Sequence, residues 1–580
     1  MGSRLRKSEP AAVWLAFLAA TLAVYGQAWR FPYLLDDTFH FVRNPTVRSW
    51  VGLGAIWTSS YWESAGQSGL YRPLLKTFWL FEIAGLGGAK GTVLFISVFL
   101  HALNATLVAF LARRAGVFPA IAFAAGLWFA LHPAHTEVLV AGVGQGEILS
   151  LALALGALAL VFPEAKSAGE EKTPTRALDG EDVSRIFQQG SGQAFRQGSG
   201  QALRLCSGQA RLAGFAVLMV AGLFVKEQGF IAALLGAAAL LWNAAFSRRA
   251  RHITLAAVVV GLAVAVAARF LVLGAFGPGG MFQLGSGLTW LQRIPLAFTL
   301  FGRYAALAAA PIRLSPDYTW LEMNLPIGAG EAMLWFGAAV AALSMFGLAW
   351  TVWKKRLAAS LFGLASLLPL APFLGFLPLG ALFAERFAYH ALAGAALVLA
   401  VAADRIAHVR GAGAASTPRV RIIAAVLIVW AVVLGVRSFV QTSRWQSGRR
   451  LWEATWRENP RSYLAGANLA YYQLADGDAR QARRSAEAAL ALRPDFDDAH
   501  LTLGDIDLSE GRFESARSHF QRAMRHPYFR ARAQIGLALA DVKLDRLAEA
   551  MAIYRSLAVE RPNDPMLRPL RAALDVAKKR

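Results

Sequence analysis

Cysteine is nearly missing from this chain of 580 residues, since Cys206 is the only one. A single cysteine excludes an internal disulfide framework and a cysteine-based zinc site. Charged residues are also few, at 17% of the sequence, whereas hydrophobic residues make up 56%. A composition this apolar, with runs long enough to span a bilayer, excludes a wholly soluble protein and indicates a polytopic membrane protein.

The net charge of +22 comes from 59 lysine and arginine residues against 37 aspartate and glutamate residues. In a soluble protein such a charge would suggest nucleic-acid binding. Here lysine and arginine cluster at the ends of apolar runs, where they orient helices in the membrane. We therefore predict contact with membrane lipid and no nucleic-acid partner.

The apolar runs predict an all-α membrane domain over residues 1–440 with about eleven spans. The runs cover residues 11–29, 92–112, 118–131, 147–162, 212–225, 230–246, 253–273, 332–352, 357–377, 387–402 and 422–440. Because basic residues precede the first run, we expect the N-terminus in the cytoplasm and the loop at 30–90 outside. The first run lacks a small-residue cleavage site, so we expect it to be retained as a helix.

Two segments of this domain do not follow the simple pattern. Residues 294–311 are apolar but contain Arg303, and a full crossing there would place Lys354, Lys355 and Arg356 outside, so we predict a re-entrant or in-plane segment. Residues 163–211 contain three copies of Ser-Gly-Gln-Ala. We expect this insert to be a disordered cytoplasmic loop.

Residues 445–580 have a charged, alanine-rich composition instead. Ala482, Ala516 and Ala550 recur at intervals of 34 residues, which is the tetratricopeptide period. We predict a soluble α-solenoid of about three repeats outside the membrane, with Pro569–Lys579 as its capping helix. Asp545 stands where the repeat pattern predicts glycine.

In this topology the unusual polar residues all fall on the outer side of the membrane. They are Asp36 and Asp37, Tyr71 and Arg72, His132, His135 and Glu137, Lys226 and Glu227, Arg303, Asp317, and Glu385 and Arg386. Polar groups near hydrocarbon are costly unless they serve a site. Carboxylates suit a general base or metal ligands, and lysine and arginine suit a lipid phosphate.

Each cluster also has a purely structural interpretation. The aspartate pair would be a polar collar that ends the first helix, and Arg303 would pair with a carboxylate of a neighbouring helix. His132 and His135 would cap a helix. Lys226 would pair with its neighbour Glu227. Glu385 and Arg386 would hold neighbouring helices together.

A series of motifs runs in order along the chain. They are Asp36-Asp37 with Asn44-Pro45, Tyr71-Arg72-Pro73-Leu74, Leu100-His101 with Asn104, His132-Pro133-Ala134-His135-Thr136-Glu137 with Glu147, Lys226-Glu227-Gln228-Gly229, Leu314-Ser315-Pro316-Asp317-Tyr318 and Ala384-Glu385-Arg386. Together with the repeats they resemble the transmembrane and tetratricopeptide-repeat O-mannosyltransferases, of the GT-C class of polytopic glycosyltransferases, and this chain looks like a bacterial member. One departure is Gln145, where the family's arginine is expected.

The resemblance implies that Asp36 and Asp37 are catalytic and that the other outer polar residues bind substrate. It implies a polyprenyl-phosphate or dolichyl-phosphate sugar donor, with mannose as the sugar, and Ser or Thr hydroxyls of a polypeptide acceptor held by the repeats. A divalent cation, Mg²⁺ or Mn²⁺, bound by Asp36 and Asp37 is an open expectation.

Two other functions fit the residues as well. One is a membrane-anchored repeat scaffold without catalysis, and the other is a lipid-linked glycosyltransferase with a glycan or lipid acceptor. The alanine-, glycine- and arginine-rich composition suggests a bacterial inner membrane with periplasmic repeats. An endoplasmic-reticulum protein with luminal repeats would have a similar sequence.

Overall fold

The computed structural model describes residues 2–62, 70–163, 191–274, 288–319, 321, 331–377, 381–408, 418–525, 527–560 and 566–579. Every regular element within these ranges is helical. The predicted all-α class, a helical membrane domain followed by repeat helices, is confirmed.

The membrane domain combines long helices with short helical turns. Its α-helices are α1 (Gly2–Tyr25), α2 (Leu53–Thr58), α3 (Pro73–Leu80), α4 (Lys90–Arg114), α5 (Pro119–Ala130), α6 (Thr136–Val140), α7 (Gln145–Val161), α8 (Ser191–Val225), α9 (Gln228–Trp242), α10 (Arg248–Leu273), α11 (Trp290–Ala309), α12 (Ala332–Trp353), α13 (Leu357–Leu367), α14 (Tyr389–Ala407) and α15 (Pro418–Ser443). Two connecting turns, Thr38–Arg43 and Phe81–Gly85, are π-helical.

Eight helical segments of the described residues are long and apolar enough to cross a membrane, and three shorter apolar helices accompany them. The eight are Pro10–Arg30, Lys90–Arg114, Gly142–Val161, Gly208–Val225, Arg248–Leu273, Ala332–Trp353, Glu385–Ala407 and Pro418–Gln446, and the three are Pro119–Ala130, Gln228–Trp242 and Leu357–Phe373. Each segment coincides with one of the eleven predicted spans. The chain is therefore an integral membrane protein.

The insert at residues 163–211 differs from the predicted disordered loop. Residues 191–211 form the first part of α8, which continues without a break to Val225, whereas residues 164–190 lie outside the described residues. Alanine, glutamine, leucine and arginine are good helix formers. A helix that already exists in an adjoining span also extends without a new nucleation cost. For residues 191–211 the prediction of disorder is therefore wrong.

The two ends of the helical bundle differ in chemistry. One end, called the site face below, carries Asp36, Glu137 and Lys226. At the opposite end Arg356 and Arg405 line one pocket. Arg356 thus shares an end with Arg405 in the last turn of α14, which is the arrangement that the positive-inside rule predicts.

Helix α11 contacts the segment after α13 near its start and the site face near its end. Close to its start the Arg293 guanidinium donates to the Gly375 carbonyl at 2.6 Å. Gly375 follows the apolar segment Leu357–Phe373, which begins next to Arg356 at the opposite end of the bundle. Close to its end the Ala308 carbonyl lies 3.3 Å from Nε2 of His132. Helix α11 also packs along α12, and among the described helices it is not one of those long and apolar enough to cross a membrane. The re-entrant or in-plane placement of residues 294–311 stays a prediction.

The C-terminal part consists of further helices, each packed against the next. They are α16 (Gly448–Glu458), α17 (Tyr463–Ala475), α18 (Ala479–Leu492), α19 (Asp497–Ser509), α20 (Phe513–Ala523), α21 (Pro527–Lys543), α22 (Leu547–Glu560) and α23 (Leu567–Ala577). Gly477 and Gly511 have φ angles of 86° and 80° at equivalent turns, and Asp545 has a φ of 60° at the third. Aspartate tolerates this left-handed conformation better than most residues, so the repeat survives the substitution.

The junction between the membrane domain and the repeats is buried. Trp445 and Leu451, which lie before and within α16, the helix that precedes the first repeat, belong to the main apolar core of the membrane domain. The Ser462 hydroxyl donates to the carboxylate of Asp317 and accepts from the Ala465 amide at the start of α17. The predicted division between residues 440 and 445 therefore falls inside a packed region, and the first repeat is continuous with the membrane domain.

The position of α11 can be tested by cysteine labelling in a Cys206→Ser background. Trp290 and Arg313 flank α11 and are exposed, and Lys354 is exposed at the opposite end. We expect Trp290→Cys and Arg313→Cys to react with an impermeant maleimide from the same side of sealed vesicles. Lys354→Cys should react only from the other side. Labelling of positions 290 and 313 from opposite sides would show that α11 crosses the membrane.

Candidate active site

The polar stretch after the first span forms a tight turn that separates its two carboxylates. The amides of Asp37 and Thr38 donate to the carbonyls of Leu34 and Leu35, each at 3.1 Å. Leu35 has a φ of 53°, a left-handed conformation that costs a non-glycine residue about 1 to 2 kcal/mol. The π-helical turn Thr38–Arg43 begins directly afterwards, so Asp36 and Asp37 reach different surroundings.

Asp37 is fully engaged by the protein. Its carboxylate is 2.8 Å from Nζ of Lys90 and accepts the amides of Gly142 and Val143, both at 2.9 Å. The residue is only 1% exposed, and Lys90 also donates to the Val140 carbonyl at 2.6 Å. This set of bonds ties the end of the first span to the start of α4 and to the turn before α7. It favours a structural role for Asp37.

Asp36 has the opposite surroundings. Among the residues that the structure describes, neither a hydrogen bond nor an ion pair engages its carboxylate. Burial raises the pKa of Asp36 to about 6; Arg386 opposes this increase, whereas Asp37 and Glu137 reinforce it. A carboxylate that is free, close to a cation and mostly deprotonated at neutral pH, with a pKa only about one unit lower, fits a general base better than its neighbour does.

Three basic residues of the predicted site form ion pairs with carboxylates of other segments. Arg386 binds Glu137, Lys226 binds Glu147, and Arg72 binds Glu227 at 2.6 Å. Lys226 therefore does not pair with its neighbour Glu227, contrary to the structural interpretation of that dipeptide. The Arg386 side chain keeps 35% of its surface exposed, so it is the cation of this set that is most open to a ligand.

The contact between Arg72 and Glu227 is a two-pronged ion pair. Nη2 and Nε of Arg72 lie 2.6 and 3.2 Å from Oε2, and Arg269 approaches Oε1 at 3.6 Å. Burial acts to raise the pKa of Glu227, but the hydrogen-bonded Arg72 outweighs it and lowers the pKa to about 2. Arg72 also lies over the ring of Tyr61 at 4.8 Å. The two-pronged ion pair therefore holds the charges of Arg72 and Glu227 in fixed positions at this end of the site.

Three further residues of the predicted site have protein partners or are enclosed. The Tyr71 hydroxyl donates to the Trp57 carbonyl at 2.8 Å. His132 caps the short turn after it by accepting the Ala134 amide at 3.3 Å, as its structural interpretation expects. His135 is fully buried against aromatic rings, among them Tyr389 at 4.7 Å. Burial lowers the pKa values of His132 and His135, so both rings are neutral.

The last three predicted residues lie around the end of α11. Glu385 accepts the Ser315 amide at 2.6 Å and the Tyr318 hydroxyl at 2.7 Å. The carboxylate of Asp317 accepts the Thr319 amide at 3.0 Å and joins the first repeat. Arg303 interacts electrostatically with Glu331 at the start of α12, which is the kind of partner that its structural interpretation names.

One buried acid was missed in the sequence. Glu82 is 0% exposed, and Nε2 of Gln145 donates to its Oε1 at 2.8 Å. Burial raises the pKa of Glu82 to about 8, so it is neutral at pH 7. Gln145 is the position where the family's arginine is expected, and this departure was the available signal. A glutamine with a protonated glutamate keeps the buried pair uncharged.

The aspartate pair does not fit the metal site expected for Mg²⁺ or Mn²⁺. The carboxylate of Asp37 is occupied by Lys90 and two backbone amides, which leaves only Asp36 with free oxygens. No group of three or more His, Cys, Asp or Glu residues in the described ranges is placed to hold a metal ion. A divalent cation held jointly by the two aspartates is therefore not supported.

The fold and the charged cluster together define a polytopic membrane protein with a carboxylate-centred site at one face and a tetratricopeptide-repeat domain. Residues 473–528 and 501–565 match two tetratricopeptide-repeat models. Part of the chain is also similar to curated proteins that carry the name protein O-mannosyl-transferase.

These relatives are TMTC1 of Mus musculus (31% identity over 154 residues), TMTC1 of Homo sapiens (30% over 154 residues) and TMTC4 of Homo sapiens (25% over 156 residues). The matches cover 25%, 25% and 23% of this chain and 16%, 17% and 21% of the relatives. They confirm the resemblance to the transmembrane and tetratricopeptide-repeat family.

The different roles of the two aspartates predict different effects on stability. Asp37→Asn leaves Lys90 buried without its counter-charge, and breaking a buried ion pair in this way costs about 3 to 5 kcal/mol. Asp36→Asn removes a charge that burial already disfavours, so we expect stability to stay equal or to increase. Thermal unfolding of the two variants in detergent tests this. The double variant Asp37→Asn with Lys90→Met should be more stable than Asp37→Asn alone. Equal destabilisation by Asp36→Asn and Asp37→Asn would contradict these roles.

Proposed function

We propose that this chain is a membrane glycosyltransferase that transfers mannose from a polyprenyl-phosphate or dolichyl-phosphate donor to Ser or Thr hydroxyls of a polypeptide. The observation that carries the proposal is the free, partly buried carboxylate of Asp36 beside Arg386, in a chain whose relatives are named protein O-mannosyl-transferases.

Asp36 is the base in this reaction. It accepts the proton of the acceptor hydroxyl while the hydroxyl oxygen attacks the anomeric carbon of the sugar. The bond between that carbon and the phosphate oxygen breaks, and the lipid phosphate leaves with the electron pair. One displacement inverts the anomeric centre and needs no covalent intermediate with the enzyme.

Arg386 is the residue that stabilises the departing phosphate. Its guanidinium is held by Glu137, which fixes its orientation, and part of its surface remains open. A positioned cation lowers the barrier because it faces the charge that develops on the leaving oxygen. Arg72 and Lys226, each held by its own carboxylate, extend the basic character of the same face.

We assign the site face to the outside of the membrane, which makes the repeats extracytoplasmic. In a bacterium they would lie in the periplasm. The concave surface of a repeat solenoid suits an extended polypeptide, so we assign the acceptor to the repeats. The neutral Gln145 and Glu82 pair replaces a position of positive charge in the family. The sugar or the lipid carrier that this chain uses can therefore differ from that of its relatives.

The central prediction is that Asp36→Asn abolishes sugar transfer. Loss of a general base costs about 10²-fold to 10⁴-fold in rate, and asparagine keeps the size of the side chain. The measurement is transfer of labelled mannose from a defined polyprenyl-phosphate donor to a polypeptide by purified protein. Transfer at the wild-type rate by Asp36→Asn would refute the assignment of the base. Transfer only to a glycan or lipid would favour the second enzymatic alternative, and no transfer would favour the scaffold.

The pH dependence of transfer gives an independent test. The base acts only when it is deprotonated, and the pKa of Asp36 is raised to about 6. We therefore expect kcat/KM to be constant above pH 7 and to fall about tenfold per pH unit well below pH 6. The residual transfer of Asp36→Asn should lack this inflection. An inflection near pH 4 in the wild-type protein would indicate a fully hydrated carboxylate instead.

A further inference from the structure

The turn that presents Asp36 touches the first repeat. Leu35, the residue before Asp36, packs against a cluster of buried side chains from α16 and α17, namely Trp452, Ala465 and Leu469. The same Leu35 also contacts the apolar core of the membrane domain. One side chain thus connects the solenoid to the segment that carries the candidate base.

The backbone of Leu35 needs such support. Its φ of 53° lies in the left-handed region, where non-glycine residues persist only if the surrounding structure holds them. The turn itself is closed by the amides of Asp37 and Thr38 at 3.1 Å each. The packing of Leu35 against the cluster of Trp452, Ala465 and Leu469 supplies such support to this turn.

A second contact between the repeat domain and the site face involves Ser462. The hydroxyl of Ser462, at the start of α17, donates to the buried carboxylate of Asp317. The same hydroxyl caps α17 by accepting the Ala465 amide at 2.9 Å. The first repeat is thus fixed to the site face at two points, the turn at Leu35 and the loop at Asp317.

We propose that α16 and α17, the helix before the repeats and the first helix of the first repeat, are part of the catalytic site, because they hold the turn at Leu35 and so position Asp36. This inference rests on the proposed function. Leu35, Trp452 and Leu469 are positioning residues, since they act on the reaction only through the placement of Asp36. The later repeats remain the surface for the acceptor. Helices α16 and α17 instead form a fixed boundary of the active site.

The experiment compares Trp452→Ala and Leu35→Ala with the wild-type full-length protein. Hydrogen exchange of the amides in residues 31–38 is measured by mass spectrometry, since it reports the closing of the turn without requiring activity. Transfer kinetics and their pH dependence are measured on the same samples. Leu35→Met serves as the conservative variant, because it keeps an apolar side chain of similar volume.

A matched control loosens the solenoid away from the turn. Phe520 is fully buried between the later repeats and fills the space beside Gly504 and Gly536. Phe520→Ala should weaken packing there, yet it should leave exchange in residues 31–38 and the pH inflection unchanged. It separates damage to the solenoid in general from release of the turn.

We expect Trp452→Ala and Leu35→Ala to increase exchange in residues 31–38 and to lower kcat about 10-fold to 100-fold, because a misplacement of about 1 Å can cost 10²-fold. The KM for the lipid donor should hardly change, the inflection near pH 6 should move, and Leu35→Met should restore both readouts. Unchanged exchange, or increased exchange with unaltered kcat and pH profile, would overturn the inference. Absence of transfer by the wild-type protein would instead count against the proposed function, and the exchange data would still decide whether the repeat holds the turn.

Discussion

The structure of the site face depends on one requirement, that a charge removed from water must have a partner. The ion pair of Asp37 with Lys90 meets this requirement at the point where the first span, α4 and the turn before α7 come together. Two backbone amides complete the coordination of the carboxylate. Removing a single member would leave an uncompensated buried charge, which is far more costly than the pair itself. This contact therefore fixes the geometry on which the neighbouring residues depend.

The same requirement explains why the carboxylate of Asp36 differs from the other acidic groups of the site. The cations Arg386, Lys226 and Arg72 each have an acidic partner, and these pairs leave Asp36 without a direct one. An unpaired carboxylate in a partly buried position is unfavourable for stability, and its raised pKa is the measure of that cost. Such a cost is usual where a group must remain available for a reaction. Within the part of the chain that the structure describes, paired charges thus surround Asp36, whose carboxylate has no direct partner.

Much of the architecture could be predicted from the sequence because it depends on composition along the chain. The eleven spans follow from apolar length, and the repeat turn at Asp545 follows from the 34-residue period. The charge parity around Arg356 predicts that α11 is not an ordinary span, and α11 is not among the described helices that are long and apolar enough to cross a membrane. Residues 191–211 were mistaken for a loop, because polar composition does not reveal that an adjoining span can extend as a helix.

The partners within the site could not be predicted, because they join residues far apart in the sequence. Nothing in the Asp36-Asp37 dipeptide indicates that Lys90 and the amides of residues 142 and 143 engage only the second aspartate. Pairing of Lys226 with Glu147 rather than with Glu227 likewise depends on how α7 meets α8. Motif spacing predicts a set of candidate polar residues. It does not divide them into those that have protein partners and Asp36, whose carboxylate no described residue engages directly.

Glu82 and Gln145 show how a buried contact of such a site can change in kind without loss of the fold. An arginine at position 145 would bring a positive charge to a carboxyl that is completely buried. Glutamine brings none, and Glu82 remains neutral because burial raises its pKa to about 8. An arginine there would favour the ionised form of Glu82 and give an ion pair, whereas the glutamine gives a neutral hydrogen bond. Both pairs have no net charge, so the substitution changes the kind of contact at this position and leaves the net charge of the site as it was.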